Sequence, residues 1–379
     1  MQITEDDSGW LMYHSVGRYP GQRDAMVAAL TSVADSWCAL DDGRWAALDH
    51  GRARFLSGIE RLIGAPPGTV FAAENVTAAF AAFVDSLPTA MLAGKRVLIA
   101  QDCFPSLHYL LAGLATRIGF SLVTVAPAAG EVSVRDEDLL AAWDGRVALA
   151  VLTWVTSTAS RRADLPLLMA HGRRMGSLVA IDATQGLGIV PLDVATLDPD
   201  FAASTSLKWL CGVPGAGFGY VRAGLLPQTS PRLRGWFSKP DPFDWSLDSF
   251  SPASDARRFD TGTPSYIPSI GAAPGLEWLL ATGIPTLRAK NLAISADLIG
   301  VAQAHGIQIA SPLDPDLRGG SVMLELPAHM PAAEMVAALA RAGLFADSRS
   351  QRLRLSPGPS TGTDVASRLD RVLAAWSRA

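Results

Sequence analysis

Short apolar runs rich in β-branched residues recur from Gly68 to Arg222: TVFAA, RVLIA, SLVTV, VALAVLT, SLVAID, DFAAS and GFGYV. Helix-like stretches such as AAFAAFVDSL, LHYLLAGLATRIG and LPLLMAHGRRMG separate the first several of them. Continuously apolar strands alternating with helices predict an α/β fold, with a mostly parallel sheet of seven strands covered on both faces. Ligands of such sheets sit at the carboxyl ends of the strands. Pro227 to Pro268, rich in Pro, Ser, Asp and aromatics, reads as a long ordered excursion. A second helical region is expected from about Ala272. From about Ile307 strands (SVMLEL, RLRLS) mix with helices (AAEMVAALARAG, ASRLDRVLAAW), which predicts a small α+β domain.

The chain has 379 residues, 49% of them hydrophobic and 18% charged, so most helices are expected to be partly or wholly buried. A formal net charge of −4 and the absence of any Lys/Arg run argue against a nucleic-acid partner. The start, MQITEDDSGW, lacks the features of a signal peptide, and Arg117 interrupts the best candidate for a membrane span. A soluble, cytoplasmic protein is the expectation. Cys38, Cys103 and Cys211 are far apart and read as reduced core thiols, and no Cys/His spacing suggests a metal.

Two strand ends carry the candidate chemistry. SLVAID ends in Asp182, and a carboxylate ending a buried strand needs a cation or serves as a loop cap. The strand DFAAS runs on into Thr205, and Lys208 follows between Leu207 and Trp209. Such a lysine either snorkels to solvent or has a lowered pKa that suits a Schiff base. The glycine-rich GVPGAGFG behind it lets the backbone pass close to a ligand. An Asp on one strand end and a Lys after the next form a specific pair for pyridoxal 5'-phosphate (PLP): the acid keeps the ring nitrogen protonated and the lysine carries the cofactor. Asn75, Val76 and Thr77 follow the strand TVFAA and open a helix whose positive end suits a phosphate; an ordinary N-cap is the other reading. Phe104, past the strand RVLIA, is placed to stack on a pyridine ring or to fill the core.

These segments resemble the class-V aminotransferase-fold PLP enzymes, kynureninases most of all, over nearly the whole chain. The resemblant stretches are YHSVGRYP, RFLSGIERLIGAPPGTVFAAENVT, CFPSLHY, IDATQGLGIVPLDV, STSLKWLCGVPGAGFGYV, RGWFSKPDPFDW with ARRFDTGTPSYIPS, and RLRLSPGP. The resemblance implies PLP fold type I, the aspartate-aminotransferase-like fold. Residues 61–280 would form the large PLP-binding domain and 281–379 the small domain. Residues 1–60 would serve the small domain and the substrate site. It further implies Asn75, Val76, Thr77, Phe104, Asp182, Gln185, Thr205 and Lys208 around the cofactor. Trp236 and Thr263 would reach the phosphate in a neighbouring subunit, so a homodimer with shared active sites is expected. Arg354 would clamp the substrate carboxylate, a task suited to a bidentate guanidinium. His14 and His108 are further candidates for substrate contact.

The departures bear on the reaction. Leu207 stands where kynureninases carry a tyrosine and cysteine desulfurases a histidine. Gln185 stands where kynureninases usually have histidine, and Leu107 replaces an acidic residue. No cysteine falls in a C-terminal loop as desulfuration would need. The expected activity is Lys208-mediated deprotonation at Cα of an L-amino acid held as an external aldimine. Kynureninase-like C–C lysis on a non-kynurenine substrate would follow. Alternatives are an aminotransferase, epimerase or decarboxylase on the same scaffold, and a non-catalytic PLP-fold binder.

Overall fold

A computed structural model describes residues 7–248 and 250–376; Met1–Asp6 of the acidic start lie outside the described residues. The seven apolar runs form seven strands: β1 (Val70–Ala73), β2 (Arg96–Ala100), β3 (Ser121–Val125), β4 (Val147–Thr153), β5 (Leu178–Asp182), β6 (Phe201–Thr205) and β7 (Gly217–Val221). They pair in the order β1-β7-β6-β5-β4-β2-β3. Only β7 runs against its neighbours β1 and β6; the others pair in parallel. Helices cover both faces, as runs apolar on every residue require. One face packs a core that includes Phe55, Leu98, Ile181 and Phe218, the other a core that includes Phe80, Phe83, Ile99 and Phe201.

Phe201 shows how tightly the second face is built. Its ring is fully buried, stacks on Phe83 at 4.3 Å and meets the edge of Phe80 at 4.9 Å. Interiors packed to crystal density cannot refill such a volume. The change Phe201→Ala is expected to cost about 3–5 kcal/mol, read as a lowered midpoint in denaturant melts.

The C-terminal unit is a four-stranded antiparallel sheet in the order β10-β11-β9-β8. Its strands are β8 (Gln308–Ile309), β9 (Val322–Glu325), β10 (Asp347–Arg349) and β11 (Arg352–Leu355). The helices Ala332–Arg341 and Val365–Trp376 pack their apolar stripes, Met335, Leu339, Leu369 and Leu373, into its core. The second helical region starts earlier than the sequence suggested, at Tyr266, and comprises the helices Tyr266–Thr282 and Ile284–Ala304.

The N-terminal segment divides in two. Residues 10–17 lie along the C-terminal unit: Trp10 and Met12 form β-bridges to Phe345 and Ser356. The helix Arg44–Ile63 instead buries Phe55, Ile59 and Ile63 in the core of the large sheet. One expectation fails here. The helix Gln22–Cys38 has no fully buried residue. Cys38 at its end is exposed rather than a core thiol, whereas Cys103 and Cys211 are buried. The Pro227–Pro268 excursion holds short 3₁₀ turns rather than regular elements. Among the described residues no helix is long and apolar enough to cross a membrane, and no cluster of side chains suits a metal ion.

Candidate active site

The carboxyl ends of β4, β5 and β6 and the loops after β1 and β2 enclose a cavity of about 660 Å³. Parallel pairing sets Thr153 beside Asp182, and Asp182 beside Ala203, so the strand ends open on one side of the sheet. Asn75, Val76, Thr77, Phe104, Asp182, Gln185, Thr205 and Lys208, far apart in sequence, all line this one space.

Asp182 is buried and accepts a hydrogen bond from the Thr184 amide at 3.0 Å. Burial raises its pKa; the Thr184 bonds and the charge of Lys208 oppose the shift. Lys208 is shifted in the opposite direction. Burial lowers its pKa, with the guanidiniums of Arg354 and Arg349 adding to the effect, while Asp182 opposes it. A lysine depressed in this way supplies a neutral amine more readily, the form that condenses with an aldehyde or takes a proton. Its Nζ lies 5.4 Å from the centre of the Phe104 ring, so that ring and the amine face the same space.

The helix Val76–Ser86 points its N-terminus into the cavity. Asn75 caps it in extended conformation, its side chain accepting from the Ala78 amide at 2.9 Å. The amides of Val76 and Thr77 belong to the first turn, which has no intrahelical acceptor, so they remain available to an anion. Two buried hydroxyls lining the space, those of Thr153 and Thr205, have no hydrogen-bond partner among the described residues. Buried polar groups are rarely left without a partner. Unpartnered hydroxyls, an anion-binding helix end, an aromatic face, an amine and a buried acid together match the functional groups of PLP.

The family model of aminotransferase class V matches residues 52–347. The chain belongs to the class-V aminotransferase family. It is a PLP-dependent enzyme of an α/β fold, in a family that acts on small-molecule amino-acid substrates. Among similar proteins, an uncharacterized aminotransferase, YcbU of Bacillus subtilis, is 31% identical over 66% of this chain and 65% of its own length. A kynureninase of Geobacillus thermodenitrificans is 30% identical over 78% of this chain and 71% of its own. The fold superposes on an apo cysteine desulfurase of Thermococcus onnurineus with a TM-score of 0.84, at 17% identity, covering 100% of this chain and 98% of that one.

Other residues of the class-V enzyme's expected site sit differently. Gln185 reaches the cavity, yet its amide is already engaged: Nε2 donates to the His14 carbonyl at 3.0 Å and Oε1 accepts from Trp209 Nε1 at 3.2 Å. It ties the N-terminal segment to the lysine loop, and one N–H is left for a ligand. His108 does not line the cavity; it is bonded to Thr124 at 3.0 Å across the helix Pro105–Ile118 and β3. Trp236 and Thr263 also lie away from this chain's own cavity. Trp236 belongs to a chain of rings, Trp37–Trp45–Trp236–Trp245, with Phe243 against the last two. Thr263 is exposed.

Arg354 sits behind the cavity rather than in its lining. Its Nε and a terminal nitrogen grip Asp347 across β10 and β11 at 2.8 and 2.5 Å. The other oxygen-facing neighbour of Asp347 is His14, whose Nε2 lies 3.0 Å from Oδ1 and whose Nδ1 bonds Ser356 Oγ at 2.7 Å. Asp347, which the sequence reading missed, therefore holds two of the three candidate substrate residues, His14 and Arg354. Burial works against its charge, but the bonds from His14 and Arg354 win and hold its pKa at about 2. Thr153, Thr184 and Ser157 were also missed, although strand ends and their next few residues are where such a sheet puts its ligands.

Burial lowers the pKa of His14 from its ordinary 6.5. In the fold His14 therefore binds fewer protons than in the unfolded chain as the pH falls through 6.5, and stability is lost in that window. Between about pH 7 and pH 5 the wild type is expected to lose more stability than His14→Asn, measured by urea midpoints at each pH. The stability tied to Asp347 is present above the ordinary carboxylate value of 3.8 and goes only as the pH falls toward about 2.

Proposed function

We propose that this enzyme uses Lys208 as its only mobile proton carrier and catalyses transamination of an L-amino acid with an apolar side chain. The observation that supports this reading is the lining of the cavity: among the described residues, Lys208 and Asp182 are its only ionisable side chains. Leu107, Leu207 and Val155 line the same space with apolar side chains. Hydrolytic C–C cleavage needs a second acid or base to activate water and to protonate the departing carbon. A one-base proton shift needs neither.

PLP, when bound, supplies an electron sink that acidifies the Cα–H bond of a linked amino acid. Asp182 would be the acid that keeps the ring nitrogen protonated. The amides of Val76 and Thr77, at the positive end of their helix, would hold the phosphate. Phe104 would supply the aromatic face for the ring. Lys208 Nζ would hold the cofactor and, once released from it, would be the base that takes and returns a proton at the substrate. Leu207 and Leu107 exclude water from the side-chain pocket.

A second reading, C–C lysis on a non-kynurenine substrate, is favoured by the similarity to kynureninases, 30% identical in the Geobacillus thermodenitrificans case. Single-turnover spectra separate the two. Stoichiometric conversion of the yellow cofactor to the pyridoxamine form by an amino acid alone supports transamination. A cofactor that stays yellow while a shortened amino acid is released over many turnovers refutes it.

A homodimer completing each site with Trp236 and Thr263 of the other copy belongs to the same proposal. The ring chain around Trp236 supports it, because Trp37, Phe243, Trp245 and Leu247 leave a broad apolar surface exposed. Sedimentation showing a monomer at micromolar concentration would refute it.

A further inference from the structure

Gln185 carries an amide whose orientation is decided by its partners. Its Nε2 donates to the His14 carbonyl at 3.0 Å, and its Oε1 accepts from Trp209 Nε1 at 3.2 Å. A carbonyl only accepts and an indole N–H only donates, so the amide oxygen must face Trp209 and the nitrogen His14. Turned over, the amide would set N–H against N–H and oxygen against oxygen among buried residues, where unmade hydrogen bonds cost most. The second N–H of Nε2 is what Gln185, a lining residue, offers to the cavity.

The His14 partner is a backbone atom, so Trp209 is the side chain that sets this orientation. Its ring is held on three sides. It is 2% exposed and stacks on Tyr13, with centroids 5.8 Å apart and planes at 27°. Tyr13 is itself fixed: its hydroxyl donates to the Arg18 carbonyl at 2.9 Å and accepts from the Ser360 amide at 2.8 Å. At Gly320, just before β9, an added Cβ would run into the indole, so the backbone of the C-terminal unit packs against the ring. The loop that carries Trp209 is pinned as well. The Gly17 amide donates to the Leu207 carbonyl at 2.8 Å, and the Cys211 amide to the Lys208 carbonyl at 2.9 Å. A ring packed this closely keeps one position.

We propose that Trp209, the residue after Lys208, is a positioning residue whose indole N–H holds Gln185 as a hydrogen-bond donor toward the bound cofactor. This rests on the functional reading above. There the ring nitrogen goes to Asp182 and the phosphate to the helix end, so the acceptor left on the ring is its phenolic oxygen. A donor at that oxygen favours the state in which the oxygen bears its full negative charge, reached once the linkage between the cofactor and Lys208 has lost its proton. The wild-type linkage should therefore lose that proton at a lower pH than one without the donor.

The test is the visible absorbance of PLP-loaded protein, titrated with pH. Gln185→Leu removes the donor, and its midpoint is expected at least about one pH unit above wild type, a tenfold change of the size a hydrogen bond to a charged group gives. Trp209→Phe leaves Gln185 free to turn and should move the midpoint in the same direction by at least about half as much. Because Trp209 acts through Gln185, the double variant should titrate like Gln185→Leu alone. The charges that act on Lys208, those of Asp182, Arg354 and Arg349, and His14, on which Lys208 acts, are kept in every variant. No shift in Gln185→Leu, a Trp209→Phe midpoint at or below wild type, or shifts that add in the double variant overturns the proposal. If Trp209→Phe does not fold, 3-benzothienylalanine at position 209 keeps the shape of the ring and removes only its N–H; a wild-type midpoint there overturns the proposal instead. A wild-type protein that takes up no PLP defeats the functional reading, whereas a yellow protein whose midpoint ignores Trp209 defeats only this assignment.

Discussion

Lys208→Ala is expected to leave a folded protein that binds PLP weakly, shows no Schiff-base absorbance and turns over no amino acid at a measurable rate. Two losses combine. The covalent anchor disappears, and so does the base at Cα, whose share alone is about 10²–10⁴-fold in rate. Folding should survive, because the amine's burial opposes its own charge and because Trp209 and Leu210, not Lys208, fill the core beside it. Single-turnover kinetics on reconstituted protein check the rate, and a melt of the cofactor-free protein checks the fold. A variant retaining more than about a tenth of the wild-type rate would remove Lys208 from the chemistry.

The second large effect belongs to Asp182→Asn, and it has two opposed signs. In the PLP-loaded enzyme the amide cannot hold the ring nitrogen protonated, and loss of one such electrostatic group costs about 10²–10³-fold in kcat. In the cofactor-free protein the same change should stabilise. Burial raises the Asp182 pKa above its ordinary 3.8. The folded state therefore binds more protons than the unfolded chain, and stability is lost as the pH rises through the raised value. The asparagine carries no such loss. Thermal melts of cofactor-free protein at neutral pH should place Asp182→Asn above the wild type, and activity assays of the loaded protein should place it far below. An activity within a few-fold of wild type would contradict the role given to this acid.

What the sequence could reveal follows from how local each signal is. All seven strands of the large sheet were legible, because a strand buried on both faces is apolar at every residue and bounded by turns. Asp182 and Lys208 were legible because charge is conspicuous in apolar surroundings. The tie between His14, Asp347 and Arg354 was not, since it joins the first strand-like segment to a hairpin more than 300 residues later, and no local pattern encodes such a pairing. The same holds for Gln185: the sequence gives an amide beside Asp182, but only the fold shows His14 and Trp209 occupying two of its bonds. Cys38 misled because a lone cysteine on a helix looks alike whether the helix is central or outermost.

Borohydride reduction of the PLP-loaded enzyme, followed by peptide mapping, tests the site most directly. A single pyridoxyl group on Lys208, with loss of the yellow colour and of activity in proportion, is the expected result. A label on another lysine, or a protein that binds PLP without any reducible linkage, would contradict it.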